Sequence, residues 1–205
     1  MPIRFFKNNR LFKLYLIIMI CFGVITVSGC GERSSEPDKV NYYYQQVKDN
    51  PNNPVNYTNL GWIYYQEGNL QEAIKWYQQA LQLNKENIAA RYNLALVYLD
   101  MQDFQKSKQE LTTILNKQPQ HQLALLKLGE VNLMLKDYEK ARRIFKSYLK
   151  LDPTSATALQ GLGDSYVGLG QIERAKAAYK LALKYVPNFT KAEAALKSLK
   201  VKGNE

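Results

Sequence analysis

NLGWIYYQEGNLQEAIKWYQQAL, residues 59–81, carries the pattern on which the fold turns. Three further stretches follow it in register: NLALVYLDMQDFQKSKQELTTIL (93–115), KLGEVNLMLKDYEKARRIFKSYL (127–149) and GLGDSYVGLGQIERAKAAYKLAL (161–183). Leu60, Leu94, Leu128 and Leu162 recur at intervals of 34 residues. So do the small residues Gly61, Ala95, Gly129 and Gly163, and then Tyr64, Tyr98, Asn132 and Tyr166. Farther along, Ala73, Ser107, Ala141 and Ala175 precede the large residues Tyr77, Leu111, Phe145 and Tyr179. A period of this length marks a chain of stacked supersecondary units, none of which can bury its apolar face alone.

Each unit reads as two antiparallel helices. The two small-residue columns let the helices approach closely, and the large residues fill the space between units. Gly68-Asn69 and Gly170 supply tight turns. Asp103 and Asp137 suit helix starts. Pro119, Pro153 and Pro187 cannot continue a helix and end their units.

With these columns and the closing set Pro51, Lys85, Pro119, Pro153 and Pro187, the chain resembles the tetratricopeptide repeat family over about residues 54–189. Asn132, Ser107 and Lys85 each depart from the pattern singly. The resemblance implies an all-α fold, a right-handed superhelix of helix-turn-helix repeats at 54–87, 88–121, 122–155 and 156–189. Residues 40–53 match the second helix of a half repeat, with Tyr43 in the large-residue column, and would cap one end. Residues 190–205 match a first helix plus tail, with Leu196 in register and lysines giving a terminal polar face.

Ahead of the repeats, MPIRFFKNNRLFK is basic, and Leu14 to Val27 is an unbroken apolar run of fourteen residues. A bilayer-spanning helix needs about 20 such residues, whereas a signal peptide needs a run of this size. Val27-Ser28-Gly29-Cys30 resembles the lipobox of bacterial lipoproteins. That resemblance implies diacylglyceryl transfer to the Cys30 thiol, removal of residues 1–29, and a lipidated terminus followed by a flexible tether over 30–39. An uncleaved signal anchor with an ordinary cysteine is the alternative. Either places the rest of the chain outside the cytoplasm.

Composition narrows the chemistry. Cys21 and Cys30 are the two cysteines, and Cys21 lies within the apolar run, so no disulfide framework or cysteine-based zinc site can form. His121, the single histidine, falls in the loop between the second and third repeats and reads as solvated surface. Without a second histidine, no Ser-His, Cys-His or histidine-metal set is available. Carboxylates are scattered without paired spacing, and Gly161-x-Gly163 and Gly168-x-Gly170 are better explained by packing than by phosphate binding. An enzyme is not expected, nor any cofactor or metal.

In the family, the first helix of each repeat lines a concave groove that takes extended peptides or helices. Carried over by register, the first repeat contributes Thr58, Asn59, Trp62, Tyr65 and Gln66, and the second Tyr92, Asn93, Leu96, Leu99 and Asp100. The third contributes Leu126, Lys127, Glu130, Leu133 and Met134, and the fourth Gln160, Asp164 and Val167. Trp62, Tyr65 and Tyr92 are expected to cluster, and aromatics are enriched at binding hot spots; the alternative is that they only cover neighbouring helices. Asn59 and Asn93 resemble two rungs of an asparagine ladder, which Lys127 and Gly161 interrupt. Asn93 and Lys127 partly match the carboxylate clamp of chaperone-tail binders, but Thr58, Trp62 and Leu123 lack its remaining groups, and the clamp is rejected.

The formal charge is +10, and four of the cations precede the apolar run. Gly31 to His121 holds nine basic and ten acidic residues, whereas Gln122 to Glu205 holds fifteen and eight. Lys140, Arg142, Arg143, Lys146, Lys176 and Lys180 are expected to form a basic outer face. Such a face suits anionic lipid or wall polymer, or is simply a solvated helix exterior. Nucleic acid is not an expected partner, and the sequence leaves the oligomeric state open. The combined expectation is a membrane-anchored scaffold or assembly factor of the bacterial envelope, binding a protein or peptide in its groove. A binder of anionic lipid or wall polymer is the alternative.

Overall fold

The computed structural model describes the backbone of residues 36–201, and side chains from 39 to 199. The basic head, the apolar run and Cys30 lie outside the described residues. Among those described, ten helices follow one another: α1 (Glu36–Asp49), α2 (Pro54–Gln66), α3 (Leu70–Leu83), α4 (Ile88–Asp100), α5 (Phe104–Lys117), α6 (Gln122–Met134), α7 (Tyr138–Leu149), α8 (Ala156–Gly168), α9 (Ile172–Tyr185) and α10 (Thr190–Val201). None is long and apolar enough to cross a membrane. α1 begins at Glu36, inside the stretch read as tether. Pro37 is no obstacle there, because first-turn N–H groups have no intrahelical acceptor.

Consecutive helices pack against each other along the whole series. Beyond these neighbours, first helices of successive repeats also touch, α2 with α4 and α6 with α8. First helices therefore stand side by side in these two pairs, and the second helices make no comparable contact with one another.

Each repeat starts on a side-chain cap, and the caps are themselves 34 residues apart. Asn53, Asn87, His121 and Ser155 accept hydrogen bonds from the N–H groups of Val55, Ala90, Ala124 and Ala158, at 3.0–3.3 Å. Asn and Ser caps of this kind contribute about 1 kcal/mol each. His121 is thus a half-buried capping residue whose Nδ1 accepts, rather than a free loop histidine. Asn87 also donates to Thr58 Oγ1 at 2.9 Å and so ties α4 to α2.

The turn inside each repeat needs one left-handed residue. Gly68 and Gly170 take it at φ of 76° and 71°; Gln102 and Lys136 take it at 60° and 59° with a side chain attached. The next residue starts the second helix. Asn69 and Asp103 cap theirs, whereas the Asp137 carboxylate turns to Lys140 at 2.6 Å and caps nothing.

The core is a row of clusters, each straddling a boundary between units. One joins α1 to the first repeat through Val47, Leu60 and Trp76. The next two, around Tyr77 with Leu94 and Leu111 with Leu128, join the first repeat to the second and the second to the third. The last runs from Phe145 through Tyr179 to Ala192 and Leu199 of α10.

The 16-residue offset between columns is a packing rule. A Cβ on Gly61 would stand 2.8 Å from the Tyr77 ring, and one on Gly129 would stand 2.6 Å from the Phe145 ring. The same conflict joins Gly163 to Tyr179, and the Phe145 ring also presses on Gly161 of the following repeat. In the second repeat, Ala95 has a Cβ and the partner is the slimmer Leu111. Where the large residue is aromatic, the small one has no side chain.

Asn132, which stands in the Tyr column, is 1% exposed. Its Nδ2 donates to Leu128 O at 2.7 Å, and its Oδ1 is buried without a partner. An unsatisfied buried acceptor costs about 1–3 kcal/mol. Asn132→Leu is therefore expected to stabilise the protein and raise its urea midpoint; an unchanged or lower midpoint would count against this reading.

Candidate partner-binding groove

The wall of first helices carries the register positions expected to face a partner. At its amino-terminal end Trp62 is 39% exposed, with its ring centroid 5.5 Å from that of Tyr65. The Tyr65 hydroxyl donates to Asp100 Oδ2 at 2.6 Å, bridging the first and second repeats. Burial, reinforced by that bond, pushes the Tyr65 pKa up to about 12. The phenol stays a donor at neutral pH, and its ring is fixed in place. Tyr92 sets its ring against His121, 6.2 Å away at 36°, rather than completing a three-ring cluster.

Asn59 and Asn93 are both half-buried, and neither uses its side-chain amide in a hydrogen bond among the described residues. The buried Tyr77 hydroxyl lies near Asn93 without closing a bond. Free amides on a wall are suited to an extended backbone, since each can donate and accept. Thr58, expected in the groove, is buried and bonded to Pro54 O and Asn87, and it offers a partner nothing.

Toward the carboxyl-terminal end the wall becomes charged. Lys127 and Glu130 form an ion pair at 2.8 Å, one helical turn apart on α6. Leu96 is half-buried one repeat before Glu130, in the equivalent position. Gln160 Nε2 and the Tyr179 hydroxyl both donate to Asp164, the latter at 2.6 Å. Burial raises the Asp164 pKa above the usual carboxylate range, and the two hydrogen bonds counter part of that rise. A pocket of about 300 Å³ opens here, walled by α6, α8 and the start of α10. Lys191 reaches it from α10, a helix outside the four full repeats, which is why repeat register alone missed that residue.

The outer face is less basic than its composition suggests. Lys140 pairs with Asp137 at 2.6 Å, Arg142 with Glu139 at 2.7 Å and Lys176 with Glu173 at 2.8 Å. Arg143, Lys146 and Lys180 are exposed and make no ion pair among the described residues. Half of the expected stripe therefore already carries its counter-charge one turn away. The described residues hold no cluster of three or more His, Cys, Asp or Glu able to grip a metal ion.

Stacked helical hairpins with a wall of first helices define a class, the helical-repeat proteins. Tetratricopeptide repeat profiles match residues 36–75, 61–102, 92–156 and 132–200, so together they span the described chain. The chain belongs to the tetratricopeptide repeat family. A tetratricopeptide repeat protein from Parabacteroides merdae superposes with a TM-score of 0.73 at 26% identity, over 80% of this chain and 65% of that one. YrrB, described as a TPR protein with an unusual peptide-binding site, gives 0.71 at 19%, over 79% and 84%. MamA of Desulfovibrio magneticus RS-1 gives 0.67 at 20%, over 83% and 88%. At these identities the likeness establishes the fold. No curated protein sequence matches the chain.

Proposed function

We propose that this protein is a lipid-anchored scaffold of the bacterial cell envelope that holds a protein partner, as an extended segment, along its wall of first helices. The observation that carries the binding half is the pairing of an exposed Trp62 with a pinned Tyr65, on the wall that also bears the half-buried amides of Asn59 and Asn93. Rigid aromatics bury much area for little rotamer entropy, so they serve as anchors, while the amides satisfy a peptide backbone. The anchoring half rests on the sequence around Cys30.

The binding half is tested by co-purification from envelope extracts after Trp62→Ala, Tyr65→Ala and Tyr92→Ala are combined. Hot-spot truncations each cost about 2 kcal/mol or more, so recovery of the partner should fall at least about tenfold with helicity retained. Unchanged recovery would remove the groove from the account.

A further inference from the structure

Repeat positions 62, 96, 130 and 164 are equivalent and read Trp, Leu, Glu, Asp from one end of the wall to the other. At this position the wall is therefore apolar in the first two repeats and carries a carboxylate in the last two. At the acidic end, Gly161 stands where Asn59, Asn93 and Lys127 present side chains, and the pocket opens beside it. Leu133 and Met134 line one side and Asp164 another. Met134 is 60% exposed and so offers an apolar ledge at the rim.

The two carboxylates differ in what they lack. Glu130 has its counter-charge in Lys127. Asp164 is half-buried and receives hydrogen bonds from two neutral donors, with no ion pair among the described residues. A desolvated carboxylate held by neutral groups retains an unmet demand for positive charge. Lys191 lies near enough to favour the ionised form of Asp164, yet it stays exposed and makes no bond to it. An incoming anion would face Asp164 directly; Lys127 is already engaged by Glu130, and Lys191 is the other cation of the lining.

We propose that this pocket takes the lysine or arginine side chain of the bound peptide, its cationic head on Asp164 and its aliphatic stem along Leu133 and Met134. The proposal rests on the groove reading above. It adds a direction to it: an apolar residue of the peptide lies toward Trp62 and Leu96, and a basic one toward the fourth repeat.

The probe is a positional-scanning set of acetylated, amidated ten-residue peptides. One position at a time is fixed as Arg, Lys, citrulline, norleucine or Glu, and binding to the purified full chain is read as enrichment. The wild type should enrich Arg or Lys over citrulline and norleucine at least about fivefold at one position. Asp164→Asn should lose that preference while keeping its melting temperature, because the amide oxygen still accepts from Tyr179. Lys191→Ala, which removes a competing cation, should strengthen the preference; a purely structural role for Asp164 would not predict opposite shifts. Peptide retention that depends on Trp62 but shows no basic preference, or a preference that survives Asp164→Asn, would overturn this proposal and leave the groove standing. Retention of no peptide at all would overturn both.

Discussion

Gly129→Ala is expected to destabilise the protein by about 1–3 kcal/mol, the range for forcing extra atoms into a filled core. The new Cβ would fall 2.6 Å from the Phe145 ring, which is also in close contact with Gly161 of the next repeat. For a chain of this size, each kcal/mol lowers the melting temperature by about 2–4 °C. Phe145→Leu by itself should also destabilise, since it leaves space beside two glycines. The two changes together recreate the Ala95–Leu111 pairing of the second repeat. They should therefore be less harmful than their separate effects combined, by about 0.5–3 kcal/mol of coupling. Urea unfolding followed by circular dichroism, run as a double-mutant cycle, measures this. Simple additivity would mean that the 16-residue offset is not a packing rule.

The second large effect concerns attachment. If Cys30 is the lipidated terminus, Cys30→Ser should abolish incorporation of an alkyne-tagged fatty acid. It should also shift the mass from a diacylated chain starting at residue 30 to one retaining residues 1–29. Each buried methylene contributes about 0.8 kcal/mol, so two or more long acyl chains hold the mature chain on the membrane almost irreversibly, whereas the Cys30→Ser chain would depend on its retained apolar run. A wild-type chain that carries no acyl group and keeps Met1 would refute the lipid anchor and leave the repeat domain's binding role untouched.

The helix pairs were legible because small against large is a steric demand that leaves little choice of residue. Gly61 must face Tyr77 without a side chain, and that need shows in the letters. The capping column Asn53, Asn87, His121, Ser155 is equally periodic but chemically mixed, so it hid behind four residue types that share only an acceptor. The left-handed turns at Gln102 and Lys136 carry no glycine to announce them, and only their spacing from Gly68 and Gly170 could have done so. In the groove, register found Trp62, Tyr65 and Asp164. It could not show that Asn87 would reach across and bond Thr58, nor that a helix beyond the last full repeat would bring Lys191 to the pocket. The Lys127–Glu130 pair and the paired lysines of the outer face lie at i,i+3, a spacing already visible in the sequence. Charge counts over half a chain conceal such local neutralisation.

The matched glycines and rings also bear on how an array like this can be lengthened or rearranged. A first helix carrying Ala95 joined to a second helix carrying Tyr179 would put a methyl group into an aromatic ring, although both helices come from the same protein. Recombination that cuts within a hairpin would therefore mostly yield clashes or voids, whereas duplication of an intact hairpin keeps each ring with the glycine of its own repeat, although the Phe145–Gly161 contact crosses a seam. The heritable module of this chain is the 34-residue pair, and its seams lie in the inter-repeat loops.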